Sequence, residues 1–310
     1  MKILVYGAGV LGSYLAYELV KGGHNVTILA RGKRYNELKE KGLVIKHYLQ
    51  LKTTITKLNV VDKFNQDDYY DTVFVVMQRT QIDSMLPNIY CNKKCKLYVF
   101  VSNNPSADAT YKKIQENSII KPKMLFAFQK TGGRRELGKV ISIHIGKTSF
   151  SIGDISGDIS YKTFINKIFV NTSFKLYHSP NIDAWLKFHI ALVVPIAYLT
   201  YFADGDLKKI ARNKKMLNLT IDAISEGCKV VKTCGYEIEP KDLKDYLNRK
   251  RRLLYWIFKI MAATPLGKLA ASDHAMSAVD EMKYLSNEFD KLKKSSGILT
   301  PNWDKLEKYI

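Results

Sequence analysis

The chain has 310 residues, of which 46% are hydrophobic, and it carries a formal net charge of +20. This length is enough for about two domains with buried cores. The excess of Lys and Arg admits an anionic partner, but these residues are spread along the chain and no nucleic-acid-binding motif accompanies them. The four cysteines lack the CxxC spacing of zinc or redox sites, which favours reduced thiols and a cytoplasmic location.

The N-terminal segment predicts a strand, a glycine-rich turn, a helix and a second strand. The apolar run Lys2–Tyr6 is typical of a buried strand, and Ser13–Lys21 has apolar residues at helical spacing. A second apolar run, Val26–Leu29, follows a glycine turn. This order is that of the first unit of a dinucleotide-binding domain.

The turn itself reads Gly7-Ala8-Gly9-Val10-Leu11-Gly12. We expect Gly7 to permit a tight turn, Gly9 to let a pyrophosphate approach the backbone, and Gly12 to let the helix pack against the strand. The N-terminus of the helix would then offer N–H groups to the phosphates. The alternative is a tight strand–helix turn that binds no ligand.

The residues after the second strand favour NADP(H) over NAD. An NAD enzyme usually has Asp or Glu there for the ribose hydroxyls. Here Arg31, Lys33 and Arg34 follow the strand, and no carboxylate stands among them. Arg31 directly follows the strand and could bind a 2′-phosphate in bidentate fashion. For Lys33 and Arg34 a solvated start of a helix is the alternative.

Downstream, strand and helix patterns alternate up to about residue 158, and helix patterns dominate from Ile182 onward. Val140–Ile145 and Thr148–Ile152 are expected to form a hairpin-like pair. The sequence therefore predicts an α/β protein. Residues 1–158 would form an NADP(H)-binding Rossmann domain with a doubly wound parallel sheet, and residues 159–310 an all-helical substrate and dimerisation domain.

The apolar stretch 184–203 is long enough to span a bilayer, but it contains Lys187, His189 and Pro195, which favours a buried core helix.

Ligands of open α/β sheets bind beyond the carboxyl ends of the strands. Gln78 and Asn103 each follow a core strand, so we expect both at the same rim as the glycine turn. In the helical half, Lys187 stands among apolar helical neighbours, which predicts a partly desolvated ammonium group. Ser272 precedes an amphipathic helix that contains Glu281. A helix cap and a solvated helix residue, respectively, are their simpler interpretations.

These residues together resemble the ketopantoate reductase (2-dehydropantoate 2-reductase) family over nearly the whole chain. The resemblance implies a Rossmann domain followed by a helical domain like that of 6-phosphogluconate dehydrogenase, and NADPH-dependent reduction of ketopantoate to pantoate in the pathway to pantothenate and coenzyme A. It further implies that Lys187 donates the proton to the substrate carbonyl, Asn103 positions nicotinamide and substrate, and Ser272 binds the substrate carboxylate. Glu281 would contact the cofactor and Lys187.

Several positions depart from the family pattern. Gln78 stands where the family usually has Lys, Ala191 replaces an Asn one turn beyond the lysine, and Asp204 replaces the Asn of a later Asn-Gly pair. An acid at position 204 would disfavour a substrate carboxylate nearby. The machinery for hydride and proton transfer is therefore expected to be retained, with a changed substrate shell.

The leading hypothesis is an NADPH-dependent reductase of ketopantoate or a related 2-oxo acid. A non-catalytic NADP(H)-binding sensor is the alternative from another class, and a dehydrogenase with a different substrate is the third. We expect a small 2-oxo acid and a second copy of the chain as partners, with no metal, nucleic acid or membrane.

Overall fold

The computed structural model describes residues 1–247 and 249–310. Within them, the first half of the chain contains the strands β1 (Lys2–Tyr6), β2 (Asn25–Leu29), β3 (Leu43–His47), β4 (Lys52–Thr56), β5 (Asn59–Val61), β6 (Thr72–Val75), β7 (Leu97–Val101), β8 (Lys123–Gln129), β9 (Gly132–Glu136), β10 (Lys139–Ile143), β11 (Thr148–Gly153) and β12 (Phe174–His178). The helices of this half are α1 (Val10–Lys21), α2 (Lys33–Lys41), α3 (Arg79–Cys91), α4 (Ala107–Asn117) and α5 (Lys162–Ile168).

The main sheet has eight strands in the order β12-β11-β8-β7-β6-β1-β2-β5. Neighbours from β8 to β5 all pair in parallel, and β11 joins β8 in antiparallel register. The central strands are short apolar runs without alternation, as expected for strands covered on both faces. The predicted Rossmann fold is confirmed.

A second, four-stranded sheet has the order β4-β3-β10-β9. The expected hairpin between β10 and β11 is wrong, because β10 pairs with β9 and β3 whereas β11 pairs with β8 and β12. The small sheet packs on α1. The Tyr14 hydroxyl of α1 shares a hydrogen bond with Nε2 of His144, directly after β10, at 3.1 Å. A Cβ added at Gly133 of β9 would lie 3.1 Å from a methyl group of Val10.

The chain divides into two compact units, 1–102 with 106–182 and 103–105 with 183–310. The expected boundary at residue 158 is therefore displaced to 182. The physical reason is that β12 pairs in parallel with β11, which keeps α5 and β12 in the first unit.

The second unit contains the helices α6 (Ile182–Phe202), α7 (Lys208–Ala211), α8 (Lys214–Thr233), α9 (Leu243–Leu247), α10 (Arg251–Ala263), α11 (Pro265–Gly267), α12 (Asp273–Ser277), α13 (Val279–Ser296) and α14 (Pro301–Glu307), with a π-helical turn at Lys268–Ser272. The helices α7 and α8 are separate, and the Asn213 side chain between them caps α8 by accepting from the Met216 N–H at 3.0 Å. Among the described residues, α6 is the single helix long and apolar enough to cross a membrane, and 72% of its most apolar window is buried within the protein. A second candidate, Arg251–Ala263 with Pro265–Ser277, passes the same length and composition test only as a pair, and the pair is bent by 86°.

Candidate active site

The glycine-rich turn after β1 has the geometry expected from its sequence. Gly7 has a φ of +127°, and a Cβ atom there would lie 2.1 Å from the carbonyl oxygen of Val76. A Cβ at Gly12 would lie 2.0 Å from the carbonyl oxygen of Gly7, whereas a Cβ at Gly9 would meet no atom of the described residues within 4 Å. The turn is thus closed by Gly7 and Gly12 and open at Gly9. This shape fits a pyrophosphate on the backbone of Gly9.

Helix α1 begins directly at this turn. Gly9 is its N-cap residue, and the first turn of the helix contains no acidic side chain. The first N–H groups of a helix lack partners within it and carry partial positive charge. Ala8, Val10 and Leu11 complete the turn from which these groups would reach a phosphate, so the predicted cofactor loop fits a dinucleotide.

Arg31 follows β2 and is exposed, and it is held on one side by the end of β1. Its Nη2 donates a hydrogen bond to the Tyr6 hydroxyl at 2.7 Å, and its guanidinium carbon lies 5.9 Å from the centroid of the Tyr6 ring. Asn88 of α3 donates to the same hydroxyl at 3.2 Å. Arg31 therefore presents a positioned cation beside the strand end where a 2′-phosphate is expected.

Arg34 differs from the sequence-based expectation, because it is neither at the phosphate position nor a solvated residue. Its side chain is buried, and it donates from Nε to the Ala8 carbonyl and from Nη2 to the Ser13 hydroxyl, both at 3.3 Å. Nη1 pairs with Glu37 at 3.1 Å. Burial lowers the pKa of Arg34, an effect that the bond to Glu37 opposes. Arg34 is thus an internal support of the glycine-rich turn, while Lys33 is exposed at the start of α2.

Gln78 and Asn103 follow β6 and β7, as predicted. Gln78 is the N-cap residue of α3 and its side chain makes no capping hydrogen bond. Asn103 is buried, and its Oδ1 atom has no hydrogen-bond partner among residues 1–247 and 249–310. A buried amide oxygen without a partner costs free energy in the free protein and is available to a ligand.

Lys187 is buried within α6 and carries an ion pair. Its Nζ atom lies 2.5 Å from Oδ1 of Asp183, one turn earlier in the same helix, and 4.7 Å from the centroid of the Tyr236 ring. Sequence reasoning singled out the lysine but missed both partners. The i, i+4 spacing of Asp183 and Lys187 was visible in the sequence, whereas the packing of Tyr236 against α6 depends on the tertiary fold.

Ser272 is buried at the end of the π-helical turn, and its hydroxyl donates to the Gly205 carbonyl at 2.6 Å. It makes no side-chain capping bond to α12, so the helix-cap interpretation is wrong. Asp204 precedes Gly205 with a φ of +50° and is exposed. A substrate role for Ser272 stays a prediction.

Glu281 lies buried in the first turn of α13, where the solvated interpretation is wrong. Its Oε2 atom lies 3.7 Å from Nε2 of His274. The carboxylate shown beside Lys187 is that of Asp183, so the expected pair of Glu281 with Lys187 stays a prediction.

Ala191 is buried, and its Cβ lies 3.2 Å from where a Cβ of Gly227 would be. The Asn expected there from the family would be crowded by α8.

The parallel sheet, the open glycine turn at the start of α1 and the cation after β2 define the class of NAD(P)-dependent oxidoreductases. Within this class, residues 3–155 match the model of the family described as ketopantoate reductase PanE/ApbA, and this N-terminal domain therefore belongs to that family. The resemblance found in the sequence is confirmed at the level of the family.

One curated relative matches a short segment. The uncharacterized oxidoreductase YkpB of Bacillus subtilis (strain 168) is 51% identical over 45 residues, which is 14% of this chain and 15% of the length of that relative.

Solved structures share the fold over the full length. A ternary structure of D-mandelate dehydrogenase with NADH and anilino(oxo)acetate has a TM-score of 0.77 at 17% identity. The match covers 100% of this chain and 97% of the dehydrogenase chain. A PanE/ApbA family ketopantoate reductase from Ralstonia eutropha JMP134 has a TM-score of 0.76 at 17% identity, covering 99% and 96%. The 2-dehydropantoate 2-reductase from Methylococcus capsulatus gives 0.72 at 15% identity, covering 99% and 94%.

Proposed function

We propose that the protein reduces a small 2-oxo acid to the 2-hydroxy acid with NADPH, and that the substrate is ketopantoate or a close relative in the synthesis of pantothenate and coenzyme A. The observation that carries this proposal is Lys187. It is an ammonium group held within a helix by Asp183, in a chain whose N-terminal domain belongs to the ketopantoate reductase family. Names of the solved relatives, which include ketopantoate reductases and a dehydrogenase bound to an oxoacetate, support the substrate class.

The preference for NADPH is supported by the residues after β2. Arg31 is exposed at the strand end, and the chain offers no carboxylate at this position for ribose hydroxyls. A guanidinium group suits a 2′-phosphate because it is always charged and can donate two parallel hydrogen bonds. D-mandelate dehydrogenase is bound to NADH, so the solved relatives leave the choice of cofactor open.

When bound, the nicotinamide supplies a hydride to the carbonyl carbon of the substrate. Lys187 would donate a proton to the carbonyl oxygen, which gives the hydroxyl group of the product and leaves a neutral amine. Asp183 would hold the lysine side chain for this transfer. The side-chain amide of Asn103 would form hydrogen bonds with the nicotinamide and with the substrate. Ser272 would bind the substrate carboxylate.

A test is the oxidation of NADPH, followed by its absorbance, with ketopantoate and then with a panel of 2-oxo acids. Turnover with ketopantoate supports the full proposal, and turnover with another acid alone retains the reaction but changes the substrate. If the protein binds NADPH but oxidises it with none of the 2-oxo acids, the result would favour the second candidate, a non-catalytic NADP(H) sensor. That candidate is motivated by the replacement of family asparagines at Ala191 and Asp204 and by the basic net charge of +20.

A homodimer and a cytoplasmic location belong to the same proposal. All four cysteines are free thiols in the structure, which is compatible with a reducing compartment. Sedimentation of the purified protein would test the dimer.

A further inference from the structure

Tyr6 joins the ends of three elements of the first unit. It is the last residue of β1, and only 3% of its surface is exposed. Its hydroxyl oxygen accepts one hydrogen bond from Arg31 and one from Asn88, at 2.7 Å and 3.2 Å. Since these donors follow β2 and lie in α3, respectively, the hydroxyl links the arginine to two elements of the scaffold.

The bond to Tyr6 restricts an otherwise mobile side chain. Arginine has many rotamers, and an exposed arginine that must find a phosphate loses this freedom on binding. Here one N–H of Arg31 is used on Tyr6, and the ring of Tyr6 lies under the guanidinium group. Because a guanidinium group has five N–H donors, the remaining ones are sufficient for a bidentate contact with a phosphate.

We propose that Tyr6, supported by Asn88, is a positioning residue that sets the preference for NADPH over NADH by holding Arg31 for the 2′-phosphate. The inference rests on the proposed use of NADPH and extends it to two residues that would act through Arg31. It predicts a selective effect, because NADH has a 2′-hydroxyl in place of the 2′-phosphate and gains little from a positioned cation.

Arg34 provides the contrast that makes the effect recognisable. It supports the glycine-rich turn through the Ala8 carbonyl and the Ser13 hydroxyl. The pyrophosphate that this turn would hold is common to NADPH and NADH. Loss of Arg34 should therefore weaken both cofactors, whereas loss of the Tyr6 hydroxyl should weaken NADPH alone.

The experiment measures the dissociation constants of NADPH and NADH from the fluorescence of the bound nicotinamide, without any substrate. The variants are Tyr6→Phe, which removes one oxygen atom, and Asn88→Ala, which removes the second donor. The matched control is Tyr98→Phe, a tyrosine of β7 in the same sheet that is also buried. Binding stoichiometry is measured for each variant, so that a misfolded fraction is not mistaken for weaker binding.

Tyr6→Phe should raise the dissociation constant of NADPH about tenfold, which is near the lower end of the contribution of a hydrogen bond to a charged group. That of NADH should change less than about twofold, and Tyr98→Phe should change neither. Asn88→Ala should act in the same direction as Tyr6→Phe and more weakly.

Unchanged NADPH binding in Tyr6→Phe would overturn the inference, and so would an equal loss for both cofactors. A wild-type protein that binds NADPH no more tightly than NADH would instead overturn the proposed cofactor, whatever Tyr6→Phe does. The two failures are therefore distinguishable by the wild-type measurement.

Discussion

Two glycines of the same turn should respond in opposite ways to the addition of one methyl group. Gly12→Ala places a Cβ atom 2.0 Å from the Gly7 carbonyl oxygen, far inside van der Waals contact, and this oxygen belongs to backbone that cannot rotate away. Gly9→Ala places the same atom where no atom of residues 1–247 or 249–310 lies within 4 Å. Gly9 has a φ of −72°, which alanine adopts without strain.

The magnitudes follow from packing. Overpacking a tight site costs about 1–3 kcal/mol and sometimes more, and the separation at Gly12 places it at the upper end. For a unit of about 180 residues this lowers the melting temperature by roughly 6–12 °C. Gly9→Ala should change the free energy of unfolding by less than about 1 kcal/mol, since Gly9 is an N-cap without a side-chain bond.

Cofactor binding should show the reverse pattern. The methyl group of Gly9→Ala occupies the space that a pyrophosphate needs, so the dissociation constant of NADPH should rise at least about a hundredfold, an effect of roughly 3 kcal/mol. The assays are thermal unfolding without ligand and fluorescence titration with NADPH. A Gly9→Ala variant that binds NADPH like the wild type would refute the assignment of this turn to the pyrophosphate, and a Gly12→Ala variant with an unchanged melting temperature would refute the packing argument.

Four further outcomes are expected. Lys187→Met should lower turnover at least about a hundredfold while the dissociation constant of NADPH changes little, and turnover at the wild-type rate would remove Lys187 from the reaction. Arg34→Gln should weaken NADPH and NADH by similar factors, measured by titration, because it supports the turn that both would use. Ser272→Ala should raise KM for the oxo acid and leave NADPH binding intact, and an unchanged KM would argue against a carboxylate contact. Burial lowers the pKa of His47 to about 4. Because the unfolded chain binds a proton near pH 6.5 and the folded one does not, stability should fall by up to about 3 kcal/mol as the pH drops from 6.5 to 4, and His47→Gln should flatten this part of a melting-temperature profile.

The cofactor domain was predictable because its signals are local. A glycine turn between an apolar strand and a helix constrains both backbone and packing, so Gly7, Gly9 and Gly12 could each be given a role from their spacing alone. Element boundaries needed little more than apolar runs and turn residues.

The partners of charged residues were not predictable in the same way. Arg31 and Arg34 are three residues apart in a basic stretch, yet one is exposed beside Tyr6 and the other is buried beneath Ala8. Which of them faces inward depends on how α2 packs against the turn. The pairing of β10 with β3 was missed for the same reason, since it joins residues that are distant in the chain and carries no local pattern.

The small sheet has a consequence for the rate of ligand binding and for the conformational entropy that binding costs. Its strands β9 and β10 hold α1 from the side, with Val10 at the very start of the helix packed against Gly133. The N–H groups at this end of α1 are thus oriented before an anion arrives, and little conformational entropy is lost when it does. Association through this end should proceed in one kinetic step, with a rate that falls as salt screens the attraction.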